Sequence, residues 1–155
     1  MKDPWLKLNS APVCFGAKDS TFGSFKASTG GNLMKIKLVH LYGYVSCLVG
    51  HDNYWSHWGC GYYVSNGNQD YSGVSLTTGS DAILFPPNQI SRSDKWTLVP
   101  GYNSRSPEIV MSIYETPVTV TKDQELRVWY IEDLRNGPEH DNGGRVCADV
   151  FGYFM

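Results

Sequence analysis

Helical periodicity is almost absent from this chain, and turn-forming clusters punctuate it. They recur at Thr29-Gly30-Gly31-Asn32, Ser65-Asn66-Gly67-Asn68, Thr78-Gly79-Ser80-Asp81, Pro86-Pro87-Asn88 and Asp141-Asn142-Gly143-Gly144. Gly and Asn there admit positive φ and Pro fixes φ near about −65°, which stops regular structure on either side. The stretches between alternate with the period of a strand. Phe22–Ser28 puts Phe22, Ser24, Lys26 and Ser28 on one side and Gly23, Phe25 and Ala27 on the other. Leu33–His40 sets Met34, Ile36 and Leu38 against Lys35 and Lys37. Further strands are expected at Tyr42–Val49, Gly61–Val64, Val74–Thr77, Ala82–Phe85, Trp96–Val99, Glu108–Tyr114, Val118–Thr121, Glu125–Ile131 and Val146–Phe154. About ten short strands spaced by about a dozen residues predict an all-β, antiparallel sandwich or barrel. At 155 residues the expectation is a single domain, 1–155, with a jelly-roll-like β-sandwich. An immunoglobulin domain needs only about 100 residues.

The four cysteines, Cys14, Cys47, Cys60 and Cys147, form an even set in a small Gly- and Tyr-rich chain, which points to disulfides and an oxidising compartment. Of the three connectivities, Cys47–Cys60 staples a local loop and Cys14–Cys147 ties the two ends, and this pairing is expected. The competing reading is four reduced, partly buried thiols. The start, Met1-Lys2-Asp3-Pro4-Trp5, lacks the apolar core of a signal peptide. A secreted protein would therefore begin here near its mature start.

Charged residues make up 18% and aromatics 14% of the chain, against roughly 25% charge in an average globular protein. A net charge of −2 and the absence of a basic stripe argue against nucleic acid. No apolar run approaches a membrane span.

Three constellations bear on chemistry. Tyr54, Trp55, Trp58, Tyr62 and Tyr63 crowd together with His51, Asp52, Asn53 and His57 interleaved. Sugar recognition uses flat apolar faces beside polar groups, and this loop offers both. Tyr102-Asn103-Ser104-Arg105-Ser106 is a second polar loop that either lines the same rim or is a solvated connection. The competing reading puts Trp58 and a tyrosine in the core. Ligand-binding candidates are thus Asp52, Asn53, Tyr54, Trp55, His57, Trp58, Tyr102 and Arg105. Second, Glu132, Asp133, Glu139, Asp141, Asn142 and Asp149 cluster around Gly and Pro turns. Such oxygens suit Ca²⁺, or are a solvated acidic loop. Third, Cys47-x₃-His51-x₅-His57-x₂-Cys60 has zinc-ligand chemistry without a known finger spacing, and a disulfide explains the same cysteines. Asn66-x-Asn68-x-Asp70 starts like an EF-hand but has Tyr71 and Thr77 where Gly and Glu are required. No nucleophile motif occurs, and paired carboxylates such as Glu132 and Glu139 fit either glycoside hydrolysis or, more often, a solvated loop.

Val13-Cys14-Phe15-Gly16-Ala17-Lys18-Asp19, Trp58-Gly59-Cys60-Gly61-Tyr62-Tyr63 and Glu125–Tyr130 with Asn142–Val150 together resemble an extracellular domain of secreted proteins from corals and sea anemones. The resemblance covers most of the chain. It implies secretion and disulfides and carries over no binding residue. A looser likeness of layout to calcium-binding jelly-roll lectins implies that Asp19 and Asp149 share an ion. The expected function is a non-enzymatic extracellular module recognising carbohydrate or another matrix component, with Ca²⁺ in the C-terminal loop. The rival readings are a homo-oligomeric assembly protein with aromatic subunit contacts, and a small-molecule or pigment carrier.

Overall fold

The structure is a computed structural model that describes residues 4–61, 65–66, 69–87, 91–93, 96–113, 116–135 and 140–155. Its strands are β1 (Trp5–Lys7), β2 (Val13–Gly16), β3 (Gly23–Lys26), β4 (Gly31–Ser46), β5 (Trp55–Ser56), β6 (Ser65–Asn66), β7 (Gln69–Asp70), β8 (Val74–Thr78), β9 (Ile83–Phe85), β10 (Ser91–Ser93), β11 (Trp96–Thr97), β12 (Glu108–Ser112), β13 (Val118–Val120), β14 (Glu125–Tyr130) and β15 (Gly143–Phe154). A 3₁₀ turn spans Asp52–Tyr54, and one helical turn, α1, spans Ile131–Leu134. The first sheet runs β1-β15-β4-β12, with β2 also on β15 and β5 and β13 on β4. The second runs β3-β14-β8-β9, and β6–β7 and β10–β11 are small ladders. All pairings are antiparallel. The fold is an all-β sandwich of two antiparallel sheets.

The sheets face each other across buried side chains. Val13, Phe15, Leu33, Ile36, Leu38, Ile109, Met111, Val146, Ala148 and Val150 come from the first; Phe25, Leu76, Phe85, Leu126, Val128 and Tyr130 come from the second. Each such aliphatic or aromatic side chain stabilises the sandwich by roughly 1.5–3 kcal/mol when withdrawn from water. The alternation expected for Phe22–Ser28 holds in β3, where Gly23 and Phe25 are buried and Ser24 and Lys26 exposed.

Two differences from the expected strands share one cause. Leu33–His40 and Tyr42–Val49 are expected as separate strands, yet β4 is continuous over 16 residues. Its register against β15 passes from His40↔Ala148 to Tyr42↔Cys147, leaving Leu41 unpaired, and from Leu33↔Phe154 to Lys35↔Tyr153, leaving Met34 unpaired. An unpaired residue bends a strand without ending it and moves the alternation by one. So Leu33 rather than Met34 takes the fully buried place beside Ile36 and Leu38. The strand expected over Glu125–Ile131 gives up Ile131 to α1.

Both expected disulfides are present. Cys14 and Cys147 are directly opposed on β2 and β15, with Cα atoms 4.0 Å apart. Cys47–Cys60 closes the loop after β4 with Cα atoms 5.4 Å apart. With both thiol pairs oxidised, the four-ligand zinc reading fails.

Candidate functional site

The loop between the disulfide partners Cys47 and Cys60 is folded against β4. Its first part turns through Asp52–Tyr54, with the Tyr54 amide donating to the His51 carbonyl at 3.1 Å. Trp55 and Ser56 then pair with Ser46 and Val45 as β5. The Trp55 ring comes down over Gly144 of β15, where an added Cβ would meet ring carbon Cζ3 at 2.6 Å and also run into the Tyr44 carbonyl. Gly144 has φ of +88°, a region L side chains rarely adopt. Trp55 is left half-buried, and His51, Asp52 and Asn53 are exposed.

The second loop, 102–106, is fastened to the first by a set of hydrogen bonds. His57 and Trp58 amides both donate to the Ser104 carbonyl at 2.9 Å. The Trp58 indole Nε1 donates to the Ser106 carbonyl at 2.8 Å, and His57 Nδ1 meets the same oxygen at 3.0 Å. Arg105 reaches the other way, its Nη2 donating to the Asn53 carbonyl at 2.7 Å. That carbonyl lies so close to Gly61 that a Cβ there would collide with it. Loop 102–106 is thus tied to loop 51–61 through Ser104, Arg105 and Ser106.

Trp58 and Trp55 have different roles. Trp58 is fully buried and presents no face to a ligand; it belongs to the core, as the competing reading had it. Its carbonyl accepts from Gly73 at 2.6 Å, and the next carbonyl, Gly59, accepts from the Tyr130 hydroxyl at 2.9 Å. Burial pushes the Tyr130 phenol well above its ordinary value, so that hydroxyl keeps its proton and donates. Trp58 is thus the post on which the loop stands. Tyr54, Trp55, His57 and Arg105 are half-buried on the two loops, whereas half-buried Tyr102 lines a cleft with Pro86, Pro87, Val99 and Met111, away from the residues of loop 51–61. Tyr62 and Tyr63 lie outside the described residues.

Two rim residues were not singled out as binding candidates. His40 and Tyr44 on β4 lie against His57. The two imidazoles stack at 3.6 Å between ring centroids with planes 14° apart, and Tyr44 sits 5.5 Å from His57. His40 Nε2 is 2.6 Å from the Gly43 carbonyl. Burial is the main cause holding the His57 imidazole below its ordinary value; the hydrogen bond to the Ser106 carbonyl opposes it and nearby His40 adds to it. The available clue was Tyr42-Gly43-Tyr44, a glycine inside a strand pattern, which marks local irregularity.

The acidic residues separate. Asp133, on α1, is buried, and its carboxylate accepts from the amides of Ser20 and Thr21 at 2.9 and 3.0 Å. It thereby holds the turn that contains Asp19, where Asp19 and Ser20 both have positive φ. Asn142 joins that region by donating from Nδ2 to the Ala17 carbonyl at 2.9 Å. Glu132 is buried on α1. Asp141 is exposed beside His140, 3.3 Å away. Asp149 accepts from Asn9 at 2.9 Å and lies 3.5 Å from the Lys7 ammonium. By strand register Asp149 follows Ala148, which opposes the first residue of β2, whereas the Asp19 turn follows the last. The two carboxylates flank opposite ends of β2. Among the described residues no group of three or more His, Cys, Asp or Glu side chains is placed to hold a metal ion. Glu139 lies outside the described residues, as do Asn68 and the side chains of Asn66 and Asp70.

No family model and no curated protein matches the chain. Among solved structures, AJLec from the sea anemone Anthopleura japonica is 42% identical, with 97% of each chain covered and a TM-score of 0.88. The chain belongs to the AJLec family. The resemblance to cnidarian proteins drawn from the cysteine-bearing motifs is therefore sound, and AJLec, named as a lectin, shares the sandwich along nearly its whole length.

Proposed function

We propose that this member of the AJLec family is a non-enzymatic, extracellular carbohydrate-binding module whose sugar site is the rim shared by loops 51–61 and 102–106. The observation that carries the reading is the fastening of the two loops. Arg105, His57 and Trp58 lock them together, so half-buried Tyr54 and Trp55 stand with exposed Asp52 and Asn53 on one held loop. A sugar ring stacks its C–H face on an aromatic ring while its hydroxyls take hydrogen bonds from fixed polar groups. Membership beside a lectin supports the class of ligand. Two disulfides support an oxidising, extracellular setting.

Calcium assistance is the finer part of the proposal. It is supported by Asn142 Oδ1, a buried oxygen with no hydrogen-bond partner among the described residues, beside the turn that carries Asp19. Ca²⁺ takes such amide oxygens together with carbonyls and carboxylates. A glycan array read with and without chelator tests both parts. Selective binding that chelator removes supports both. Binding indifferent to chelator refutes the calcium part, and no glycan retained refutes the module.

A second reading, self-assembly, is favoured by the outer face of the first sheet. There Trp5 meets Tyr153 edge-on at 5.7 Å, and the Lys37 ammonium lies 4.7 Å from the Trp5 ring and 5.1 Å from Phe151. Aromatic residues are enriched at interface cores. Sedimentation equilibrium decides this reading, since a strict monomer at high concentration removes it.

A further inference from the structure

We propose that the stacked His40–His57 pair is an acid-sensitive latch that holds the two rim loops on β4 and releases them when the pair takes up protons. The proposal rests on the reading of this rim as a sugar site and adds its regulation.

The argument begins with the two anchors. His40 Nε2 meets the Gly43 carbonyl and His57 Nδ1 meets the Ser106 carbonyl. A carbonyl only accepts, so each of these nitrogens carries its hydrogen in the neutral ring. One neutral tautomer of each histidine thus satisfies both contacts, and no further proton is needed to hold the loops. The rings then lie face to face at 3.6 Å. A first added proton puts a cation against a ring that carries no countercharge; a second would put two like charges at stacking distance. Trp58 stands edge-on to both rings, with centroids 6.2 Å from His40 and 6.3 Å from His57. Tyr44, itself exposed, lies 5.9 Å from His40 and 5.5 Å from His57.

The Ser106 carbonyl favours a charged His57, against burial and His40, and the charged side chains nearby add little compensation. On β15 the residue opposite Tyr44 is Arg145, a cation, and the residue opposite His40 is Ala148. On the 102–106 loop the charged group is Arg105, also a cation, which is engaged with Asn53. Asp52 is on the exposed 3₁₀ turn ahead of His57, and Glu108 begins β12 just after Pro107, whose carbonyl accepts from the His40 amide. No ion pair joins either carboxylate to the histidines among the described residues.

The sign follows from linkage. A histidine whose value is lower in the closed state than its ordinary 6.5 binds fewer protons closed than open. The closed state is then fully favoured above 6.5 and loses ground as pH falls below it. At about pH 5 a proton wholly excluded from the closed His57 raises the opening equilibrium by at most roughly thirtyfold. Opening frees residues 57 and 58 from Ser104 and Ser106, which removes the shared rim. A glycan taken up near neutrality would be let go in an acidic compartment.

Amide hydrogen exchange of the whole protein, corrected for intrinsic pH dependence, tests this without any glycan. Between about pH 7.5 and about pH 5, protection of residues 51–61 and 102–106 should fall by up to about thirtyfold, while β14 stays protected. His40→Phe keeps a ring in the stack and removes one proton site. His57→Asn keeps a donor for Ser106 and removes the other. Each should cut the acid effect to a few-fold. Unchanged loop protection in the wild type overturns the latch, as does an acid effect that survives in both variants. If the variants do not fold, histidine NMR titration of the wild type decides: a His57 imidazole titrating at or above its ordinary 6.5 overturns it, and one titrating clearly lower supports it. Glycan binding at neutral pH is scored separately. Its absence removes the sugar reading and leaves the latch standing, whereas flat exchange with normal glycan binding removes only the latch.

Discussion

Reducing the two disulfides separately should divide the stability of the whole sandwich from that of the rim. Cys47 and Cys60 are separated by 13 residues and Cys14 and Cys147 by 133. In the chain-entropy model the short loop contributes about 3 kcal/mol and the long one about 5 kcal/mol. Cys47→Ala/Cys60→Ala also removes a sulfur that accepts from the Cys47 amide at 3.0 Å in a buried place, which adds about 1 kcal/mol. The loop keeps its bonds from residues 57 and 58 to Ser104 and Ser106. The variant should therefore fold with β4, β14 and β15 intact, lose about 4 kcal/mol in urea denaturation, and show faster exchange in residues 51–61. Cys14→Ala/Cys147→Ala should lose about 5 kcal/mol with exchange raised evenly throughout. If the first variant keeps full protection in residues 51–61, the staple has no part in holding the rim and this reasoning is wrong. It is equally wrong if the first variant unfolds outright while the second does not.

Three further outcomes follow from single contacts. Asp133→Ala strands the Ser20 and Thr21 amides in a buried setting and should cost about 2–4 kcal/mol by denaturant titration; a loss below half a unit would show water replacing the carboxylate. Gly144→Val places a side chain against the Trp55 ring and the Tyr44 carbonyl at positive φ, so Trp55 should become more accessible to acrylamide quenching, with glycan binding reduced at least tenfold. Glu125 is held below the usual carboxylate range by hydrogen bonds from Ser24 and Arg127; its stabilisation is present above its ordinary value of 4.5 and is lost as pH falls through that range. Glu125→Gln should accordingly flatten the stability profile on its acid side and leave the neutral side nearly parallel to wild type.

Much of the sandwich was legible because its strands obey the period of two and its turns carry Gly, Asn and Pro. β3, β8 and β14 fall almost where Phe22–Ser28, Val74–Thr77 and Glu125–Ile131 are expected. The disulfides were legible because one pairing was local and the other required only that the ends meet. The bulges at Met34 and Leu41 were not, since one unpaired residue leaves no trace in composition and only shifts which side faces in. The rim was half legible. The crowding of rings from Tyr54 to Trp58 marked the place, but nothing local separates Trp58, which supports the loop, from Trp55, which reaches its surface. That difference is made by Ser104, Ser106 and Tyr130, all distant in the chain. His40 meets His57 only because β5 returns to pair with β4. Asp133 reads as a loop acid until α1 turns it towards the amides of Ser20 and Thr21.

The central claim, a sugar site on the joined loops, is tested most directly by calorimetry of the best glycan from the array against wild type, Trp55→Ala and Arg105→Ala. Trp55→Ala removes the stacking face and Arg105→Ala removes the tie to Asn53, while the sheets and both disulfides remain. The account predicts saturable binding by the wild type, a loss of tenfold or more in each variant, and unchanged far-ultraviolet circular dichroism. Undiminished affinity in both variants would contradict it and move the sugar site elsewhere on the sandwich.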